Sequence, residues 1–181
     1  MMNLCTFNLN EAEVKLVMPE ERFAESIYRL IDQDRESLAR FLPWANAINS
    51  PEDELHFIQS ARQQFVDYKL LLFVITYNDE PVGMIDLHKI DFDNRSAEVG
   101  YWLASHVQGQ GIMTNALKQM IINIQPELQL HKITVLADVD NLASRSIPQR
   151  LGFTHEAVLR DAIFSNGQYH DADTYIRLFN N

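Results

Sequence analysis

Cysteine is nearly absent: Cys5 is the single one among 181 residues. One thiol cannot close a disulfide within the chain, and such poverty in cysteine fits a reducing compartment. No apolar run approaches the roughly 20 residues that a membrane-spanning helix requires. The stretch from Met1 to Asn10 has neither the positive start nor the apolar centre of a secretory signal. These absences lead us to expect a cytoplasmic protein that does not engage a membrane. Positive charge is also scarce, with 15 Lys and Arg against 25 Asp and Glu and a net charge of −10. Such a surface repels a phosphate backbone, so nucleic acid is not an expected partner. It favours cationic ligands, protonated amines among them, and a polyanionic ligand must be held by a local device. Glycine and proline number six each, and no stretch rich in them reads as an interdomain linker. What remains is an ordinary balance, 46% hydrophobic and 22% charged, suited to a single domain over 1–181 with one sizeable core.

Periodicity gives the order of elements. Val14, Leu16 and Val17 suggest a strand that stops at Pro19, and Phe23, Ile27, Leu30 and Ile31 then fall at helical spacing. A second helix is expected over Arg35 to Arg40, ending before Pro43. Ser50-Pro51-Glu52-Asp53 reads as an N-cap, a first-turn proline and early acids. The helix behind it is expected to bury Leu55, Ile58, Ala61, Phe65 and Val66. Leu70 to Tyr77, Val82 to Ile90 and Ala97 to Leu103 read as neighbouring antiparallel strands joined by short polar turns. A helix starts near Gly111, with Met113, Ala116, Leu117, Met120, Ile121 and Ile124 on one face and Pro126 just beyond it. His131 to Val139 alternates as a strand, and Asn141 to Leu151 is a short helix closed by Gly152. Ala157 to Phe164 and Tyr169 to Leu178 form a hairpin about Asn166-Gly167. Helices interleaved with a largely antiparallel sheet give an α+β domain of mixed α/β layers.

The most informative stretch is Gln108-Gly109-Gln110-Gly111-Ile112-Met113-Thr114, between a strand and an amphipathic helix. Glycines one residue apart let the backbone turn sharply and approach a ligand without a Cβ in the way. Free N–H groups at a helix start, together with the helix dipole, favour an anion such as a pyrophosphate. A Walker A loop is excluded because Gly111 is followed by Ile112 and not by lysine. A Rossmann fingerprint fails as well, since Thr114 stands where its third glycine belongs. The alternative is a tight strand-to-helix connection with no ligand. Metal chemistry finds no support, because His155-Glu156 lacks the second histidine of a zinc helix and Cys5 stands alone.

The context of that loop resembles the GNAT superfamily of N-acetyltransferases. Ala97-Glu98-Val99-Gly100-Tyr101-Trp102-Leu103 followed by Gln108 to Thr114 is similar to its acetyl-coenzyme A motif. Asn141-Leu142-Ala143-Ser144 through Arg150-Leu151-Gly152-Phe153 resembles its second conserved stretch. Phe41-Leu42-Pro43-Trp44, Arg160-Asp161 and Asn166 to Asp171 look like the branch that acetylates ribosomal-protein N-termini. The resemblance runs from about Val14 onward. It implies a mostly antiparallel sheet with helices on both faces, splayed open between the Ala97–Leu103 and Ile133–Val139 strands, with acetyl-coenzyme A as co-substrate and coenzyme A as product.

It also implies roles for particular residues. Backbone amides of Gln108, Gly109, Gln110, Gly111, Ile112 and Met113 hold the pyrophosphate, with Thr114 beside them. Tyr101, Trp102 and Leu103 line the pantetheine arm, and Asn141 and Ser144 stand near the thiol. Glu98 is the candidate base and Asp86 a lesser one, though Glu98 also reads as a strand salt-bridge partner. Many superfamily members carry a tyrosine where this chain has Pro148, which leaves Ser144 as the candidate acid for the thiolate. Ser144 reads equally as a helix N-cap, a role Asn141 can share. Pro148 lacks an N–H for the Ser144 carbonyl, so a loosened first turn is expected, with that carbonyl facing pantetheine or water. Phe41 and Trp44 wall the acceptor pocket or pack in the core; Asp86, Tyr169 and His170 are further substrate contacts. The acceptor is a protein N-terminal amine or a small amine such as a polyamine or antibiotic. A non-catalytic acyl-coenzyme A sensor is the rival, and the superfamily's habit of pairing suggests a homodimer.

Overall fold

Alternating apolar side chains set the strands, and the computed structural model describes residues 3–9 and 11–180. Met1, Met2, Asn10 and Asn181, part of the domain expected over 1–181, lie outside the described residues. The elements are β1 (Asn3–Leu9), β2 (Ala12–Val17), α1 (Ala24–Gln33), α2 (Arg35–Ala39), α3 (Pro51–Val66), β3 (Leu70–Tyr77), β4 (Glu80–Asp91), β5 (Ser96–Leu103), α4 (Ile112–Leu128), β6 (Lys132–Asp138), α5 (Leu142–Arg150), β7 (Thr154–Ser165) and β8 (Gln168–Leu178). Among the described residues the strands form one eight-stranded sheet, in the order β1-β2-β3-β4-β5-β6-β8-β7. Every neighbouring pair is antiparallel except β5 with β6. No helix among the described residues is long and apolar enough to cross a membrane.

Two apolar layers flank the sheet. On one face Phe73, Ile85, Leu87, Val99, Ile133 and Val135 pack against Ile112, Ala116, Leu117 and Met120 of α4. On the other, Leu72, Val74, Met84 and Trp102 pack against Ile27 and Ile31 of α1 and Ile58 and Ala61 of α3. Paired residues of adjacent strands share a face, so the register puts Met84, Asp86, His88, Glu98, Gly100 and Trp102 on the α1/α3 side. Tyr101, one residue along, points to the α4/α5 side.

Four expectations need correction. β1 was not foreseen, although Cys5, Phe7 and Leu9 alternate and pack beside the core. Val66 is 71% exposed, not buried; the inner face of α3 is Glu54, Ile58 and Ala61. Pro126 lies inside α4 and not beyond it. The carbonyl it leaves without a helical donor belongs to Ile122, on the exposed side at 54%, where water can serve it. The helix ends at Gln129 in the left-handed region, with the Leu130 N–H bonded to the Gln125 carbonyl, a Schellman closure. The final hairpin is also longer than read, and begins at Thr154.

Candidate active site

The sheet opens at its one parallel pair. β5 and β6 are in register from Ser96↔Lys132 to Val99↔Val135 and no further. Past that point β5 stays with β4 through Leu103↔Gly83, while β6 follows β8 through Asp138↔Ala172. From Gly100 to Leu103 the β6-facing edge of β5 is therefore a row of backbone groups outside the β5–β6 ladder, able to pair with an extended ligand.

The glycine loop stands at the end of that edge. A short 3-10 turn over Ser105–Val107 leads to Gly109 at φ 75° and Gly111 at φ 83°, and α4 starts at Ile112. Among the described residues no side chain caps the α4 N-terminus. A Cβ added at Gly109 would meet nothing within 4 Å, so there is open space for a ligand. The Ile112 and Met113 side chains are buried in the core, so these residues can serve a phosphate only through their amides. Gln108 turns inward and donates to the Leu103 carbonyl at 2.8 Å, tying the loop to the strand end. An open strand edge leading to uncapped amides fits the arm and pyrophosphate of coenzyme A.

Under the opening, on the α4/α5 side, Tyr101 meets Ser144. Asn141 is the N-cap of α5, its Oδ1 accepting the Ser144 N–H at 3.0 Å, so the Ser144 hydroxyl is not spent on capping. The Tyr101 hydroxyl donates to the Ser144 carbonyl at 3.0 Å and accepts from Ser144 Oγ at 3.3 Å. The expected loosening at Pro148 is corrected here. α5 continues through Pro148, and the carbonyl without a helical donor is taken by Tyr101, not by pantetheine or water. Burial pushes the Tyr101 phenol up to about 12, so it keeps its proton and its role as donor near neutral pH.

The opposite face carries carboxylates. Asp86 lies 2.6 Å from His88 Nδ1 and against Gly100, where an added Cβ would stand 2.8 Å from Asp86 Oδ2. Glu98 is bonded by Lys89 Nζ at 2.9 Å and lies 3.6 Å from His88 Nε2. Trp44 is 39% exposed and leans on Trp102, ring centroids 6.1 Å apart. The Trp102 side chain is thus part of the α1/α3-side layer, and its backbone alone lines the opening. Phe41 is half-buried beneath the Arg40 guanidinium. Across the opening, His170 Nδ1 is 3.2 Å from buried Asp138 Oδ2. Asp140 joins them, with ligand atoms of all three within 4.8 Å of one another. Tyr169 is exposed and packs at a tilt against Phe164, and the hairpin tip reaches α2 through Asn166 Nδ2 and the Ala39 carbonyl at 3.1 Å.

The structure therefore brings Tyr101, Ser144 and Asn141 together below the opening and Asp86, Glu98 and Trp44 above it. Two partners escaped sequence reading. His88 alternates with Asp86, a spacing that was visible but not singled out, and Asp138 is linked to His170 only through the β6–β8 pairing.

The pattern of the Acetyltransferase (GNAT) domain family matches residues 14–154. The chain is 34% identical over 172 residues to the putative ribosomal N-acetyltransferase YdaF of Bacillus subtilis (strain 168), covering 94% of this chain and 93% of that protein. Among solved structures, the microcin C7 self-immunity acetyltransferase MccE in complex with acetyl-CoA and AMP superposes with a TM-score of 0.89 at 30% identity, covering 92% of each chain. RimL, a ribosomal L7/L12 alpha-N-protein acetyltransferase in complex with coenzyme A, gives 0.89 at 25% identity over 96% of this chain and 98% of that one. With the family pattern spanning residues 14–154 and a 34% identical relative covered over nearly its whole length, this chain belongs to the GNAT family of acetyl-CoA-dependent acetyltransferases.

Proposed function

We propose that the protein, as one catalytic domain in the cytoplasm, transfers an acetyl group from acetyl-CoA to a protein N-terminal amine. The observation that carries this reading is the junction of the opened β5 edge with the Gly109–Gly111 loop, Ser144 below it and carboxylates above. The acceptor class follows the ribosomal acetyltransferases that the chain resembles over nearly its whole length. When bound, acetyl-CoA supplies an activated acyl carbon and a thiolate leaving group, and the amine attacks it directly within one ternary complex. A backbone N–H near Tyr101 to Ala104 meets the acyl oxygen as charge builds on it. Ser144 delivers a proton to the departing sulfur: Tyr101 holds its Oγ beside the opening, and the hydroxyl turns from the phenol to the thiolate. Glu98, on the acceptor face, draws the amine's proton toward solvent.

A small cationic amine is the second reading, favoured by the net charge of −10 and by Asp86, Glu98 and Asp138 on the acceptor face. The same charge argues against a nucleic-acid partner. The outer strand β7, which exposes Val158 and Leu159, is where a second copy of the chain would pair.

Thiol release from acetyl-CoA, measured against peptides beginning with serine or alanine, spermidine and an aminoglycoside, tests the reading. Turnover with a peptide, reduced at least about 10²-fold in Ser144→Ala, is expected. Equal turnover in that variant removes Ser144 as the acid. Tight acetyl-CoA binding without turnover on any acceptor points to a sensor.

A further inference from the structure

We propose that Asp86, held by His88 over Gly100 where the sheet opens, is the carboxylate that receives the acceptor ammonium, with His88 as its positioning residue. The inference rests on the acetyl-transfer reading above and adds a proton acceptor closer to the opening than Glu98. Gly100 is the first residue of β5 beyond the pairing with β6, and Asp86 is its partner on β4. Gly100 is needed here for space: a Cβ would stand 2.8 Å from Asp86 Oδ2 and 3.3 Å from Oδ1. The carboxylate thus lies flat on the strand backbone, on the face opposite Tyr101 and Ser144. Glu98 is two residues farther from the opening and is already engaged by Lys89.

His88 fixes that carboxylate through Nδ1 at 2.6 Å from Oδ1, which leaves Oδ2 for the amine. The charged groups facing His88 are Asp86 and Lys89 on its own strand and Glu98 on β5; its β3 partner is the apolar Leu70. The hydrogen bond to Asp86 raises its proton affinity most; burial opposes this, the charges of Asp86 and Glu98 add to it, and Lys89 opposes it. A neutral His88 orients Asp86 and leaves its negative charge free. An imidazolium cancels that charge and competes with the acceptor ammonium, so the couple is active when His88 has lost its proton.

The proton count closes. The ammonium gives one proton to Asp86 Oδ2 and becomes a neutral amine. The nitrogen lone pair forms the C–N bond while the C–S bond breaks and its electron pair leaves on sulfur. Of the three ammonium hydrogens, one stays on the amide and one replaces the proton that Ser144 gives to sulfur. The third leaves Asp86 for water along the half-exposed side of His88 and Glu98.

The test uses the whole chain with serine- and alanine-initiated peptides and spermidine. In Asp86→Asn, kcat/KM is expected to fall about 10²-fold or more with coenzyme A affinity unchanged, and Gly100→Ala, which displaces the carboxylate, should imitate it. His88→Asn keeps an N–H donor but does not titrate, so activity at high pH should survive within about threefold while the acid limb of the pH profile moves down. Independently of turnover, the His88 ring is titrated by NMR in the coenzyme A complex. Added amine should lower its pKa in the wild type and leave it unmoved in Asp86→Asn. An Asp86→Asn enzyme within threefold of wild type, on an acceptor that Ser144→Ala slows, overturns the proposal and leaves the transfer reading intact. So does a His88 titration indifferent to all three amines. If the wild type acetylates none of them, the transfer reading fails and the ring titration alone decides the couple.

Discussion

Replacing Tyr101 by phenylalanine removes the hydroxyl that serves the Ser144 carbonyl at 3.0 Å. In an unbroken helix that carbonyl would accept the N–H of residue 148, but Pro148 has none. Tyr101→Phe therefore leaves a part-buried acceptor without its donor, a loss of about 1–2 kcal/mol. For a chain of this length that is a fall of roughly 2–8 °C in Tm. Pro148→Ala changes the outcome, because the new amide N–H stands one helical turn beyond Ser144 and takes over the carbonyl. In that background Tyr101→Phe should cost no more than about 0.5 kcal/mol, a coupling of about 1 kcal/mol across the cycle. The alanine substitution has its own effects, a regained backbone donor against lost burial of the ring, but these cancel in the cycle. Urea unfolding of the four proteins measures it. Costs of Tyr101→Phe equal within about 0.5 kcal/mol in the two backgrounds would show that tyrosine and proline are not linked, and the account of α5 would fall. The same cycle read in turnover separates stability from chemistry. The double variant should recover the fold but not the rate, since Ser144 Oγ has lost the phenol that holds it.

Glu54 is 1% exposed, its Oε1 has no hydrogen-bond partner among the described residues, and burial raises its carboxyl to about 8 from 4.5. A folded pKa above the unfolded one means stability that is complete below pH 4.5 and lost as pH rises toward 8, at most about 5 kcal/mol over that window. Glu54→Gln should flatten the fall, as read from urea midpoints at intervals across it; parallel curves for the two proteins refute the assignment. Gly109→Ala meets no clash but must hold φ 75°, which costs roughly 1–2 kcal/mol. It should weaken coenzyme A binding about tenfold in calorimetry, because the new methyl occupies the ligand's approach. Reduced stability with unchanged affinity would mean that the loop is only a connection.

How much of this was readable in the sequence follows from the range of the forces involved. α3 announced itself because its cap is local: Ser50 accepts the Asp53 N–H at 3.2 Å, and Asp53 in turn accepts the Asn49 N–H at 2.9 Å. The β3–β4–β5 meander was legible for the same reason, as its turns lie within a few residues. β1 was missed because Cys5, Phe7 and Leu9 make a thin alternation among polar neighbours, and what holds the strand is its ladder with β2 and its contact with α4. Pro126 misled because a proline rule about helix interiors says nothing about which carbonyl it orphans. Ile122 faces solvent, so that penalty is small. Val66 sits in the last turn of α3, where the period of 3.6 still predicts burial but the chain is already leaving the layer.

The site divides along the same line. The Gly109–Gly111 loop needs only backbone conformations that glycine tolerates and a helix start, both of which are written in seven consecutive residues. The side-chain couples need the sheet. Asp86 reaches Gly100 only because β4 and β5 are in that register, and a slip of one residue would turn it away from Gly100 and His88 away from Glu98. Asp138 and His170 are 32 positions apart and meet through the β6–β8 ladder. Tyr101 and Ser144 are 43 apart and meet because β5 has left β6 while α5 packs beneath the gap. The sequence did flag the proline that makes Tyr101 necessary. What it could not supply was the donor, since a freed carbonyl inside a fold takes whichever hydroxyl the neighbouring strand presents. Pro148 excludes a tyrosine on the helix at that place, and the phenol near Ser144 comes from the strand instead.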